Sequence, residues 1–428
     1  MRLLLEAGAN PNVTDTKSGA TPLMMAVSKG EEAMVQMLLS HGTDANAADW
    51  QAHTSLHHAA CVGRLDIVRL LLEAGADPNV DDAESGVTPL MWAVSKGEET
   101  VVQMLLSHGA DANAADWQAH TSLHHAACFD RLDIVRLLLE AGADPNAAET
   151  ETRRTSLMMA VKEGDEAMVR MLLSHGADSN AANSYGLTSL HVAVVSGWLD
   201  IMRMLLEAGT DPNAAVTEKF ESFTALHLSC DLLHTEMITH LLKHGADPNL
   251  VDCHKRTPLA IIGRQPEARS PMMSEQAAQV ASVVQAASAL LQTCESAGVL
   301  LQVNTRDSEG NTPLHIFCRM MRACKGDVYA RQREGCMQIV HALLFNHGAH
   351  VDVVNARGKT PYELCRRINP TRFRGNVESS DEIHGRMSAQ YQSLKCHCAR
   401  VIVRHSVAYE NRLPLSLIEF VRTHARPT

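Results

Sequence analysis

TPLMWAVSKGEETVVQMLLSHGADAN, running from Thr88 to Asn113, contains a complete folding unit. Thr88 suits the cap of a helix whose first position, Pro89, sacrifices no hydrogen bond there. Leu90, Ala93 and Val94 face inward, and Gly97 ends this short helix. Val101, Val102, Met104, Leu105 and Leu106 then form the apolar stripe of a second helix. Gly109 supplies a left-handed stop, and Asp111 with Asn113 favours the following turn. The same grammar runs through Ile67 to Asn79, with Leu70, Leu71, Leu72, Gly75 and Asp77-Pro78-Asn79.

The opening threonine recurs at Thr21, Thr54, Thr88, Thr121, Thr155, Thr188, Thr224, Thr257, Thr312 and Thr360. The first eight follow at steps of 33, 34, 33, 34, 33, 36 and 33 residues. A helix pair of this size cannot bury its apolar face alone, so neighbouring units must stack into one core. Thr312-Pro313-Leu314-His315 and Thr188-Ser189-Leu190-His191-Val192-Ala193, at this period, resemble the ankyrin repeat. The resemblance implies an all-α solenoid over residues 1–370, with an N-terminal half repeat and about nine further units. Arg2 to Asn12 match Arg69 to Asn79, a second helix without its first, so either the protein starts earlier or this end frays. A 67-residue block is also duplicated: Asp49-Trp50-Gln51-Ala52-His53-Thr54 returns as Asp116-Trp117-Gln118-Ala119-His120-Thr121. Past Thr257 the step lengthens to 55 and then 48, which places insertions after 262 and 323, around Gly263 to Ser274 and Cys324 to Gly335. Inserted loops either serve function or are merely tolerated.

With 428 residues, 45% of them hydrophobic but only 4% aromatic, the core must be built from Leu, Ala, Val and Met. The 11 cysteines are scattered without a Cys-x-x-Cys pair, which argues against a disulfide framework and for a reducing, intracellular compartment, cytoplasmic with the nucleus also open to it. Gln276 to Cys294 carries no charge, but Val280, Val284, Ala287, Leu291 and Cys294 fall at helical spacing and glutamines interrupt it, so it reads as an amphipathic helix rather than a membrane span. Net charge is −11 overall and −15 over residues 1–390, because the last 38 residues are basic. An acidic array argues against nucleic acid or an anionic membrane as partner.

Residues 371–390, with Gly375, Ser379, Ser380 and Gly385, read as a linker. In 391–428 a different pattern begins. Leu394, Cys398 and Ile402 lie at i, i+4 and i+8 and would line one narrow helical stripe suited to a partner's groove. Leu413-Pro414-Leu415-Ser416 follows. This tail resembles a SOCS box, whose first helix carries the elongin-binding Leu-x-x-x-Cys-x-x-x-aliphatic motif and whose later Leu-Pro-hydrophobic-Pro segment binds a cullin. Leu394, Cys398 and Ile402 match the first, and Leu413, Pro414 and Leu415 the second, while Ser416 stands at the family's second proline. The combination is similar to the ankyrin repeat and SOCS box family. It implies a non-catalytic substrate receptor of a cullin-RING ubiquitin ligase, with elongin B, elongin C and a cullin as partners and a protein target that the sequence does not name. The alternative is an ankyrin scaffold or inhibitor without ligase recruitment.

No phosphate loop, paired carboxylates or Ser-His-Asp pattern points to an enzyme, and no cofactor is implied. His57-His58 with Cys61, and His124-His125 with Cys128, raise metal binding, as does Cys396-His397-Cys398. His57 and His124 occupy the histidine slot of the repeat, where the ring bonds nearby backbone, and spacing places no fourth ligand, so the reading is structural. Trp50 and Trp117 fall at loop tips, and Phe129 ends a short helix. They either anchor a captured protein or, for the indoles, fold over a neighbouring loop. Lys29, Lys96 and Lys162 share an aligned position and form a basic row beside them on the expected concave face.

Overall fold

The computed structural model of the chain describes residues 2–264, 273–323 and 330–365. The linker and both SOCS-box motifs lie outside them. The chain divides after Ala214 into two units. In the first, α1 (Arg2–Glu6) is followed by six helix pairs: α2 (Pro22–Lys29) with α3 (Glu32–Ser40), α4 (Ser55–Val62) with α5 (Leu65–Glu73), α6 (Pro89–Lys96) with α7 (Glu99–Ser107), α8 (Ser122–Cys128) with α9 (Leu132–Glu140), α10 (Ser156–Glu163) with α11 (Glu166–Ser174), and α12 (Ser189–Ser196) with α13 (Leu199–Glu207). First helices pack on first helices and second on second, which is the expected stack.

Each unit closes as its sequence dictates. Thr88 Oγ1 accepts from the Met91 amide at 3.4 Å, and Gly97 takes a left-handed φ of 79° where a side chain would be strained. Leu90, Met91, Ala93, Val94, Val101, Val102 and Leu105 are buried, while Met104 and Leu106 are half-buried. Alanines such as Ala59, Ala60, Ala126 and Ala127 are buried and keep adjacent first helices close.

Within the first unit two hydrogen-bonded ladders tie repeat to repeat. Asn79 Oδ1 accepts from the Asp111 amide at 2.7 Å while its Nδ2 donates to the Gly109 carbonyl at 3.0 Å, and Asn46, Asn113 and Asn146 repeat the pattern. At the loop tips, one amide of each loop donates to a carbonyl of the preceding one. Trp50 donates to Ser18 at 3.1 Å, Ala83 to Gln51, Trp117 to Ser85 and Thr150 to Gln118 at 2.9 Å each. The loops carry isolated bridges, such as Ala48 with Thr54, rather than strands.

The second unit pairs α14 (Ala225–Asp231) with α15 (Thr235–Lys243), α16 (Pro258–Arg264) with α17 (Met273–Ser296), and α18 (Pro313–Ala323) with α19 (Ala330–Phe345), and then adds α20 (Pro361–Cys365). The expected insertions prove to be partly helix. α17 has 24 residues and α19 has 16, where the second helices of the first unit have 9. The uncharged stretch is indeed helical, but Val283, Ala286 and Leu290 join its buried face while Val284 is only half-buried. No described helix is long and apolar enough to cross a membrane.

Candidate binding surface

The repeat histidine is a brace. The Thr54 amide donates to His57 Nδ1 at 3.1 Å, so Nε2 must carry the proton, and it lies 3.2 Å from the Val87 carbonyl of the next unit. His124 does the same towards Arg154, His227 towards Arg256 and His315 towards Lys359, at 3.3, 3.2 and 3.1 Å. Burial pushes His57, His124 and His227 down to about 4, against the upward pull of those carbonyl bonds. With both ring nitrogens engaged, His57 and His124 have no lone pair to offer a metal, in line with their structural reading.

Trp50 and Trp117 are 66% and 63% exposed, yet each indole rests on the preceding loop. A Cβ built on Gly19 would lie 2.6 Å from Trp50 Cδ1, and one on Gly86 2.6 Å from Trp117 Cδ1. The absent side chain is what lets the ring lie flat, and each glycine also has positive φ. One edge of each indole therefore covers the neighbouring loop while the outer face meets solvent.

Phe129, 49% exposed, is the C-cap of α8, whereas Trp117 precedes that helix's N-cap, Thr121. A helix of seven residues separates the two ends by about 10 Å. Lys29 and Lys96, both exposed, end α2 and α6, and exposed Lys162 lies in the last turn of α10, near Glu163 at 3.8 Å. Trp50, Trp117 and Phe129, expected together beside the lysines on one concave face, thus fall into two groups. The indoles line the loop end of the first helices, and Phe129 shares the opposite end with the lysines. The reason is that loop tip and helix stop lie on opposite sides of each first helix.

At that second end the residue preceding four of the second helices lies over a glycine of the previous repeat: Arg64 over Gly30, Glu98 over Gly63, Arg131 over Gly97 and Trp198 over Gly164. This row of side chains alternates in charge through Glu31, Arg64, Glu98 and Arg131, a feature the periodic pattern hid because each member is an ordinary surface residue by itself. Leu394, Cys398, Ile402, Leu413, Pro414 and Leu415 lie outside the described residues.

Known proteins agree with this architecture. A model described as ankyrin repeats (3 copies) matches residues 1–82, 78–149 and 147–216, and a single ankyrin-repeat model matches 222–253 and 309–356. B-cell lymphoma 3 protein homolog of Mus musculus is 43% identical over 94 residues, 22% of this chain and 21% of that protein. Protein PhlB of Serratia liquefaciens is 40% identical over 111 residues, 26% of this chain and 49% of that protein. The 2-5A-dependent ribonuclease of Mus musculus is 44% identical over 88 residues, 20% of this chain and 11% of that protein. Each match therefore spans about half the relative's length or less. Repeats of this kind mediate protein–protein interaction, and the chain belongs to the ankyrin-repeat family.

Proposed function

We propose that the chain is a non-catalytic substrate receptor of a ubiquitin ligase. The stacked repeats capture a target protein, and the C-terminal 38 residues recruit elongin B, elongin C and a cullin-RING scaffold. The reading rests on one observation: Leu394, Cys398 and Ile402 at four-residue steps, followed by Leu413-Pro414-Leu415, in the tail that follows an ankyrin array. On the array, the exposed faces of Trp50 and Trp117 offer apolar anchors of the kind that dominate protein interfaces. Neither nucleic acid nor membrane is the partner in this reading, since the array is acidic.

Affinity purification of the full chain tests it. The wild type should recover elongin B and C with a cullin. Leu394→Asp with Cys398→Asp should recover neither, because two carboxylates would enter an apolar groove at several kcal/mol each. Undiminished elongin recovery by the double variant would overturn the assignment of Leu394 and Cys398, and none by the wild type leaves the second reading, a scaffold or inhibitor that binds protein through its repeats alone. Ser416, where the family pattern has proline, favours that reading to the extent that it weakens cullin contact.

A further inference from the structure

The loop that carries Trp50 also builds a cluster that sequence spacing does not reveal. Ala52 adopts a left-handed φ of 59°, which turns the chain back so that the Asp49 amide donates to the His53 carbonyl at 3.0 Å. Asp49 Oδ1 accepts from the amides of Gln51 and His53, both at 2.9 Å, and this fixes the carboxylate. Its other oxygen, Oδ2, then lies 3.6 Å from His53 Nδ1 and 3.9 Å from His58 Nε2, on the first turn of α4 beyond the buried His57. One ligand atom from each of the three residues falls within 4.8 Å of the others. None of the three is fully exposed: the side chains are 10%, 14% and 34% accessible.

These separations are informative. At 3.6 and 3.9 Å the carboxylate and the rings are too far apart for hydrogen bonds. Two ligands on a tetrahedral zinc ion stand about 3.4 Å apart, given metal–ligand lengths near 2.0–2.2 Å. Small rotations of two imidazoles would close the triad on an ion, with the carboxylate already held from behind by loop amides. Two imidazoles and one carboxylate suit zinc and its transition-metal neighbours, and a hard cation such as magnesium would prefer oxygen alone.

The duplicated block repeats the loop and its fixed carboxylate in a wider triad: among the described residues only the Asp49 group brings its three ligand atoms within 4.8 Å of one another. Ala119 has φ 60°, and Asp116 Oδ1 accepts from the amides of Gln118 and His120 at 2.9 and 2.8 Å. Asp116 Oδ2 lies 3.3 Å from His120 Nδ1, a hydrogen bond, and 3.7 Å from His125 Nε2. That His125 nitrogen is buried, has no partner within 3.5 Å, and has the Asp116 carboxylate as its charged neighbour. The imidazole and the carboxylate thus face each other at a separation close to that of two ligands on one ion.

We propose that Asp49, His53 and His58 bind a divalent transition-metal ion of the zinc class, and that Asp116, His120 and His125 bind a second. Each site keeps a coordination position for water or for a donor from a captured protein. The proposal does not depend on the ligase reading, since it concerns the array alone.

Zinc titration of the full chain by calorimetry is the test, compared with His53→Gln/His58→Gln, with His120→Gln/His125→Gln, and with all four substitutions together. Two equivalents should bind to the wild type, one should vanish with each pair, and zinc should raise the thermal midpoint of the wild type more than that of the fourfold variant. Equal stoichiometry and affinity in the fourfold variant, or no binding by the wild type, would overturn the proposal and leave only Asp–His pairs. Cobalt spectra of the wild type decide the case even if a variant fails to fold. Visible bands without a thiolate charge-transfer band support nitrogen and oxygen ligands. A thiolate band alone puts the metal on cysteine, elsewhere, and rejects both sites. His53 also packs edge-on against Trp92 at 5.6 Å, so cobalt bound at the first site should quench that indole, and a Trp92→Phe variant should lose this part of the quenching.

Discussion

His227 shows most clearly how a single side chain couples two repeats. It is fully buried, stacks on Phe223, takes a hydrogen bond from the Thr224 amide at 3.2 Å and lies 3.2 Å from the Arg256 carbonyl. Burial lowers it to about 4, with Asp252 pulling it upward and the Arg256 charge pushing it down. The folded state therefore refuses a proton that the unfolded chain accepts near 6.5. The stability of the neutral ring is complete above about 6.5 and is lost as pH falls from there to about 4, by an amount on the order of 3 kcal/mol. His227→Gln should flatten that part of the stability curve while lowering stability at pH 7, where the brace is lost. Urea melts at pH 7.5, 6 and 4.5 check it, and an unchanged acid slope in the variant rejects the assignment.

At the scale of the element, contacts decide what local propensity cannot. Gly335 lies in α19, where an alanine would ordinarily favour the helix by nearly 1 kcal/mol. A Cβ there would sit 2.5 Å from Cγ1 of Val284 on α17, a stiff branched side chain. Gly335→Ala should therefore destabilise by about 1–3 kcal/mol, the overpacking range, and Val284→Ala should restore part of the loss. A double-mutant cycle in urea measures the coupling, and additive effects would show that the helices do not meet there. The same contrast explains what was legible beforehand. Thr88, Pro89, Gly97 and Asn113 act through their own backbone or through the next unit's repeat of themselves, so the sequence alone places them. The length of α17 was not legible, because the change from insertion to helix depends on what α15 and α19 cover. The indole of Trp50 over a neighbouring loop was one of two readings left open, but neither Gly19 as its seat nor the meeting of Asp49 with His58 was legible. The first needs loop stacking across 31 residues, and the second needs Ala52 to adopt a conformation its side chain disfavours.

Across the array, the indoles and the lysines should have separable effects on a captured protein. Desolvated aromatic anchors commonly cost ~2 kcal/mol or more when truncated, whereas peripheral charges chiefly change association rate and salt dependence. Trp50→Ala with Trp117→Ala should lose the captured protein at every ionic strength, and replacement of Lys29, Lys96 and Lys162 should matter mainly at low salt. Since each ring also covers a neighbouring loop, hydrogen exchange must show the loops at Gly19 and Gly86 still protected. Full retention of copurifying proteins by the folded double variant moves the contact surface away from the loop tips, to the end where Phe129 lies.

The identical joints between repeats make array length a property that can change without redesign. Removal of residues 50–116 would join Asp49 to Trp117 and bring the Trp117 amide to the Ser18 carbonyl that Trp50 uses. Asn46 would find the amide of Asp144 in place of that of Asp77, and Gly30 would be covered by Arg131 in place of Arg64. Every severed bond has a chemically equal replacement 67 residues further on. The shortened chain should therefore fold, with a calorimetric enthalpy reduced in proportion to its missing repeats, and aggregation or a non-cooperative melt would refute it. A genome could trim or lengthen this stretch by unequal exchange, two repeats at a time, and hand the cell a protein whose joints are already correct.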